Sequence, residues 1–429
     1  MQCKSIISTF VMSVLLSAGA NAAENAALPT GPSSASPLQL DSLVKEAKER
    51  NPEIQVARQS ALGKRARIPQ ARAWPDPRLS VSYGGNVLPP FTLMGGDPSS
   101  TRQIMAEQEI PFPGKTRLRG EVAAREADSE GLAAEAVERR VIAAVKQAYL
   151  ELYFTDQSLA ILRKYRTVLE QLAKVAAIRY SVGKAAQQDV LRAQLELSRL
   201  TERQTLLEQS RQTLVAQLNS LRDQPVDATL GSPGAVEPSV LILSFDDLLA
   251  AAQSNNPDLN RQRSLIAANQ ASVNLARKEV RPDFTVGYAY MQRAGLPDMY
   301  GLTFSTSLPI FRRKKQDQAI AESAANLAAA RRSEANELAL LRYRLREDFL
   351  QVQSAEQLMN LYTKGLTPQA RLTLESSLAS YEVGAVDLLT VLTNFTTLFD
   401  YELNYQQQLT MHGKALARLE ELSGLTLMR

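Results

Sequence analysis

This chain holds very little with which to do covalent chemistry. Its one cysteine, Cys3, and its one histidine, His412, stand at opposite ends of 429 residues. Zinc and copper sites usually draw on several His or Cys ligands, and a catalytic triad or a His-based acid–base pair needs partners that this inventory does not supply. His412 falls in a helical run and reads as an ordinary helix residue. There is no Walker loop and no Gly-x-Gly-x-x-Gly fingerprint. The expectation is a protein that is not an enzyme, with no catalytic residues, no metal site and no cofactor.

What remains is charge and surface. Two basic clusters stand out: Lys115, Arg117 and Arg119, and then Arg312, Arg313, Lys314 and Lys315. Each follows a strand-like segment and opens a long helical run. Lipid headgroup contact at a membrane edge is one reading; an ordinary solvated helix start is the other. Their matched positions favour the first. Net charge is only +4 and no Lys/Arg stripe is interleaved with aromatics, so no nucleic-acid partner is expected.

The matched positions follow from a duplication. Asn51 to Tyr83 aligns without a gap on Asn256 to Tyr288, with identities that include Asn51-Pro52, Arg58, Arg72 and Tyr83. Ile110-Pro111-Phe112 recurs as Leu308-Pro309-Ile310, and Tyr180-Ser181-Val182-Gly183 as Tyr381-Glu382-Val383-Gly384. A period near 200 residues is too long for a solenoid unit, so it marks a duplicated architecture. The expected division is a signal peptide over 1–22, a first repeat over 23–223, a linker over 224–244 and a second repeat over 245–429.

The first 22 residues carry Lys4, a short apolar core from Ile6 to Ala18, and Ala20-Asn21-Ala22, a small-residue cleavage pattern. Cys3 lies upstream of that core rather than at the cleavage point, so export without lipidation is expected.

Each repeat then reads alike. A helical pattern over Leu40–Ala73, broken at Asn51-Pro52, precedes Leu79, Val81 and Tyr83, which alternate with small polar residues as a strand does. A loop rich in Pro, Gly and Ser (Leu88 to Ser100) leads to a second strand from about Thr101 to Phe112. In the second half, Phe284 to Tyr290 and Tyr300 to Leu308 alternate in the same way around a turn at Ala294 to Asp298. These strands have the length and dyad pattern of outer-membrane strands, although an amphipathic hairpin on a soluble core has the same pattern. Helical runs of around 65 residues follow (Lys115 to Arg179, Lys314 to Ser380), each about 100 Å long at 1.5 Å per residue. Gly183 and Gly384 reverse the chain, and Asp189–Leu221 and Leu388–Leu422 return. Two shorter helices end to end match one long one.

Four strands cannot close a barrel, and an open edge cannot sit in lipid, so membrane-spanning hairpins would require several copies. The copies would also place their long helices side by side as a hollow cylinder.

The segments Arg179-Tyr-Ser-Val-Gly-Lys-Ala-Ala-Gln-Gln-Asp-Val-Leu-Arg-Ala-Gln-Leu-Glu-Leu197 and Ser380-Tyr-Glu-Val-Gly-Ala-Val-Asp-Leu-Leu-Thr-Val-Leu392 closely resemble the tips of TolC-type outer membrane efflux proteins. The resemblance spans the duplicated hairpins and helices. It implies an α+β membrane protein, internally duplicated, whose two β-hairpins contribute to a trimeric 12-stranded outer-membrane β-barrel continued by a long periplasmic α-helical barrel. It implies a homotrimer in the cell outer membrane, contacting outer-membrane lipid, that serves as the exit duct of a tripartite pump. Its partners would be a periplasmic membrane-fusion adaptor and an inner-membrane transporter of the RND type. Val182, Gly183, Lys184, Val383, Gly384 and Ala385 would dock the adaptor. Tyr180, Asp189, Tyr381 and Asp387 would stand at the periplasmic gate. Ile110-Pro-Phe-Pro-Gly-Lys115, Gln187-Gln188-Asp189 and Val386-Asp387-Leu-Leu-Thr look most like the cation-efflux (CzcC-type) branch, which implies heavy-metal cations as cargo. A drug-efflux or type I secretion duct, and a periplasmic structural coiled coil, are the alternatives. The chain departs from the family pattern where an arginine often stands, at Val386, and where aspartates stand, at Thr390 and Thr393.

Overall fold

The computed structural model describes residues 38–85 and 99–428. The signal peptide expected over 1–22 and most of the loop expected over Leu88–Ser100 lie outside the described residues.

Helices α1 (Leu40–Arg50) and α2 (Pro52–Arg72) lead to strands β1 (Arg78–Gly84) and β2 (Thr101–Ile110), then to the long helix α3 (Lys115–Ser181) and the returning α4 (Gln187–Leu221). After an extended connection the order repeats as α5 (Phe245–Asn255), α6 (Pro257–Glu279), β3 (Phe284–Arg293), β4 (Leu296–Thr306), α7 (Gln316–Leu361), a π-helical turn (Tyr362–Leu366), α8 (Thr367–Glu382) and α9 (Leu388–Ser423).

The repeated Asn-Pro pair explains itself in atoms. Proline is tolerated in the first helical turn, where its missing N–H would have no partner, and the preceding residue avoids helical geometry. The Asn51 side chain caps α2 by accepting from Ile54 N–H at 3.2 Å and donates to the Leu221 carbonyl at 2.9 Å. Asn256 accepts from Leu259 N–H at 3.0 Å and donates to the Leu422 carbonyl at 3.2 Å. One asparagine thus opens a short helix and ties it to the end of the other short helix of its repeat.

The two short helices line the long one in succession. Ion pairs Arg67–Glu126 and Arg58–Glu138 run α2 antiparallel along the first part of α3, and Arg211–Asp156 places α4 along the rest. In the second half Arg263–Glu334 joins α6 to α7, and Arg418–Asp348 joins α9 to α7. Leu43, Ile54, Leu152 and Leu218 form the core beside the first asparagine; Leu248, Leu259, Leu345 and Leu416 form its counterpart beside the second. Each such side chain contributes about 2 kcal/mol by leaving water.

Two elements differ from expectation. The second hairpin turns over two residues, Ala294-Gly295, because Gly295 at φ +69° supplies the positive φ that a tight hairpin needs. The second long helix is not continuous. Pro368 has no N–H for the Lys364 carbonyl and its ring would crowd that group; the wider π-helical turn over Tyr362–Leu366 absorbs the conflict. Helix α3 has no such residue and runs 67 residues unbroken.

Candidate functional site

The four strands form one antiparallel sheet in the order β1-β2-β3-β4. Directly paired residues share a face, and the register sorts most of the side chains by polarity. Val81 pairs Ile104, Ile104 pairs Tyr290, and Tyr290 pairs Tyr300; Ala106 pairs Tyr288, which pairs Leu302; Val286 pairs Phe304. That face is mainly apolar and aromatic, with Arg102 and Gln108 of β2 also on it and with Tyr288 and Tyr300 stacked at 6.3 Å. The other face carries Ser80, Ser82, Gln103, Glu107, Gly287, Thr303 and Ser305. The large apolar groups Leu79, Val81, Tyr288, Tyr300, Leu302 and Phe304 are exposed. Among the described residues, the outer edges of β1 and β4 have no strand partner. No helix of the described residues is long and apolar enough to cross a membrane.

At the base of the sheet, the first basic cluster is split: Arg117 is exposed, but Lys115 is not on the surface. Lys115 is only 2% exposed and pairs with Glu279 at 3.0 Å and Asp283 at 2.9 Å. Arg119 adds a 2.8 Å pair to Glu279, and Phe112 N–H donates to Asp283 at 2.7 Å. The expected headgroup contact by Lys115 is therefore corrected: an ammonium enclosed by two carboxylates of α6 and the α6–β3 link has no reach to lipid. The same bonds end β2 at Ile110 rather than Phe112, because Pro111 has no N–H and that of Phe112 is spent on Asp283. Burial opposes ionisation of Asp283, but Lys115 and the Phe112 N–H outweigh it and hold the carboxyl below its usual range.

At the far end, both helical tips close with the same hydrogen bonds. Lys184 N–H donates to the Arg179 carbonyl at 2.8 Å and Gly183 N–H to Tyr180 at 3.0 Å; Ala385 donates to Ser380 at 2.8 Å and Gly384 to Tyr381 at 3.0 Å. This is a Schellman closure, with Gly183 at φ +72° and Gly384 at φ +80°. Val182, Gly183, Lys184, Val383, Gly384 and Ala385 are all exposed.

The gate candidates are not gathered into one cluster. Tyr180 is half-exposed, whereas Tyr381 is 4% exposed within the core that includes Leu172, Leu388 and Val391. The Arg179 guanidinium lies 4.6 Å from the Tyr381 ring centre and also donates to the Tyr381 backbone carbonyl. Burial raises the Tyr381 hydroxyl above its ordinary value, with Arg179 opposing and Asp189 reinforcing. Asp387 caps α9, accepting from Thr390 N–H at 2.9 Å and Thr390 Oγ1 at 2.6 Å. Those two bonds depress its carboxyl. Arg179 and Thr390 are the residues that sequence reasoning missed. Arg179 was visible as the one charge just before Tyr-x-Val-Gly that its repeat, Ser380, lacks. Among the described residues, no three His, Cys, Asp or Glu side chains stand close enough to hold a metal ion.

The four-stranded sheet with one mainly apolar face and two unpartnered edges stands on helices about 100 Å long. Solved channels have this fold. The outer membrane protein VceC from Vibrio cholerae superposes with a TM-score of 0.77 at 18% identity, covering 90% of this chain and 96% of its own. The Neisseria gonorrhoeae MtrE outer membrane channel, in its open state, gives a TM-score of 0.75 at 15% identity over 91% and 90%. In sequence, the pyoverdine export outer membrane protein OpmQ of Pseudomonas putida is 27% identical over 371 residues, 81% of this chain and 75% of that protein. Residues 43–222 match the family model described as outer membrane efflux protein. Over residues 43–222 the chain thus resembles the outer membrane efflux protein family, and its fold is that of the solved channels.

Proposed function

We propose that the protein is the outer-membrane exit duct of a tripartite efflux pump, acting as a homotrimer. The observation that carries the reading is the sheet. One apolar face suits lipid, the other suits water, and edges exposed at β1 and β4 have to find partners before such a sheet can sit in a membrane. Three copies supply twelve strands, an even number within the range of such barrels. The same association brings the long helices into a second cylinder. Cargo passes through without chemistry, and the work is done by an inner-membrane transporter of the RND type.

In this reading Val182, Gly183, Lys184, Val383, Gly384 and Ala385 dock the periplasmic adaptor. Their support is the exposure of all six on two turns of identical hydrogen bonding, held side by side by Arg179. Tyr180, Tyr381, Asp189 and Asp387 lie within the same region and are proposed at the periplasmic gate. Residues 1–22 act as a cleaved signal, without lipidation.

For cargo, the stretches Ile110-Pro-Phe-Pro-Gly-Lys115 and Val386-Asp387-Leu-Leu-Thr support heavy-metal cations. The pyoverdine exporter among the relatives supports a second reading, export of a siderophore by the same kind of duct.

The assembly is tested by fractionation and by heat-modifiable migration on a denaturing gel. A trimer band from the outer membrane is expected, and recovery as a soluble periplasmic monomer would overturn it. Cysteines at Gly183 and Gly384 should crosslink to the adaptor. Cargo is read in a strain lacking the gene: sensitivity to zinc, cobalt or cadmium supports the first reading, and loss of extracellular siderophore with unchanged metal tolerance the second.

A further inference from the structure

The second hairpin leaves the sheet in a way that the first does not. Leu308, Ile310 and Phe311 are 70%, 79% and 75% exposed, and directly after them come Arg312, Arg313, Lys314 and Lys315. The segment is firmly wound: Arg312 N–H donates to Pro309 at 3.2 Å, Lys314 N–H to Phe311 at 3.0 Å, and Asp317 N–H to Arg312 at 3.0 Å. Arg312 pairs with Asp317 at 3.1 Å. Among the described residues, no carboxylate lies within ion-pair distance of Arg313, Lys314 or Lys315. Beside them lies a cavity of about 390 Å³ lined by Leu308, Ile310, Phe311 and Lys315, and on its inner wall by Lys115, Glu279 and Asp283.

Exposed apolar side chains with free cations immediately beyond them match one chemistry, acyl chains ending in an anionic headgroup. The apolar side is continuous with the lipid-suited face of the sheet through Leu302 and Phe304. A cavity near 400 Å³ holds a small headgroup but not two acyl chains. The two carboxylates on its inner wall are already engaged by Lys115 and Arg119, so the unpaired charge that faces outward is positive. After the first hairpin the cluster differs: Lys115 is buried, and Arg117 and Arg119 pair with Glu121 and Glu279.

We propose that the turn from Leu308 to Lys315 is a binding site for an anionic phospholipid of the leaflet nearer the helices, present once per protomer. Phe311 and Ile310 enter the acyl region, and Arg313, Lys314 and Lys315 hold the phosphate. This rests on the membrane-embedded trimer proposed above.

The test uses the full chain purified in neutral detergent and native mass spectrometry with phosphatidylglycerol, phosphatidylcholine and inorganic phosphate as separate probes. Selective retention of about three phosphatidylglycerol molecules per trimer is expected. The substitution R313Q/K314Q/K315Q should weaken it roughly tenfold or more, while R313K/K314R/K315R retains it. The variant R331Q/R332Q, exposed on α7 away from this turn, should also retain it. Equal uptake of phosphatidylcholine, equal loss in the α7 variant, or occupation by inorganic phosphate that lipid fails to displace would overturn the proposal. So would dissociation of the trimer by the triple glutamine variant, which would assign the cations to the contact between copies. Trimer migration on the same samples reads the assembly separately: an intact outer-membrane trimer without lipid selectivity defeats this site alone, and no trimer defeats the reading beneath it.

Discussion

Lys115 and Lys315 stand a few residues beyond the last strand of their respective hairpins, at the same edge of one sheet. The first is enclosed by Glu279 and Asp283; the second is open to solvent with its neighbours Arg313 and Lys314. The duplication supplied one basic cluster twice, with Lys115 aligned on Arg313, and the surroundings gave the two clusters different tasks. In the first half the charge locks α3 to the α6–β3 link, joining one repeat to the other. In the second the charge faces outward and the joint is left to the sheet register. Pro113-Gly114 allows this difference. Gly114, at φ +91°, turns the chain so that Lys115 enters the protein immediately, whereas Phe311 to Lys315 spend an extra turn outside before α7 begins.

The sharpest way to break the comparison is to remove each ammonium. Lys115→Met leaves Asp283 without its ion-pair partner and Glu279 with Arg119 alone, and should cost about 3 kcal/mol. Lys315→Met should change stability by less than about 0.5 kcal/mol. Denaturant midpoints followed by circular dichroism check both, and similar losses would sink the distinction. The pH dependence has a definite sign. Asp283 is held below its ordinary value, so its contribution is complete above about pH 4 and disappears as the pH falls through the depressed value. Lys115→Met should flatten that acid limb of the stability profile.

Where the halves share a device, the effects should match. Asn51→Ala and Asn256→Ala each remove a helix cap and a bond to the carbonyl that ends the opposite short helix. Both asparagines are buried, so each substitution should cost about 2 kcal/mol. A difference between them of more than about 1 kcal/mol would show that one repeat leans on this joint and the other does not; that threshold is well above the usual scatter for such sites.

These shared devices are also what sequence reasoning reads best. Asn51-Pro52 and Asn256-Pro257 announce a break and a restart, and the strand alternation from Leu79 to Tyr83 and Phe284 to Tyr290 gives the two faces of the sheet. The end-to-end lengths of α2 and α4 against α3 follow from counting residues. What stayed hidden depends on distant partners. Nothing local to Lys115 says that Glu279 and Asp283 will surround it. The Arg179–Tyr381 stack joins residues about 200 positions apart, and the difference in burial between Tyr180 and Tyr381 is invisible in their identical motifs. Lys314 to Ser380 reads as one helical run, and nothing local says that a single π-helical turn would form before Pro368.

Smaller effects test the two tips. Both closing glycines are left-handed, so Gly183→Ala and Gly384→Ala should each cost about 1 kcal/mol. The second should cost slightly more, because the new methyl carbon would lie 3.3 Å from Arg179 Nη2, whereas nothing lies near the first. Thermal denaturation of the two variants side by side reads the difference. If Gly183→Ala proved the costlier, the Arg179 staple would not be the feature that separates the tips.

The smallest expected effect addresses how the returning helices begin. Asp387 caps α9 through Thr390, but the equivalent place before α4 is held by Ala186, which makes no side-chain cap. Ala186→Asp should therefore stabilise the first tip by about 0.5–1 kcal/mol, through a cap on the backbone N–H groups and a favourable charge at the helix start. Asp387→Ala should act in the opposite direction at the second tip. Since the Asp387 carboxyl is depressed by its bonds to Thr390, its contribution is present at neutral pH and fades only under acid, and the Ala186→Asp gain should fade over a similar range. Hydrogen exchange at the first turns of α4 and α9 measures both. Slower exchange in α4 of Ala186→Asp, with adaptor crosslinking at Gly183 reduced, would mean that an uncapped start gives the first tip the looseness its partner uses. Slower exchange with crosslinking unchanged would leave Ala186 as a neutral divergence between two copies of one turn.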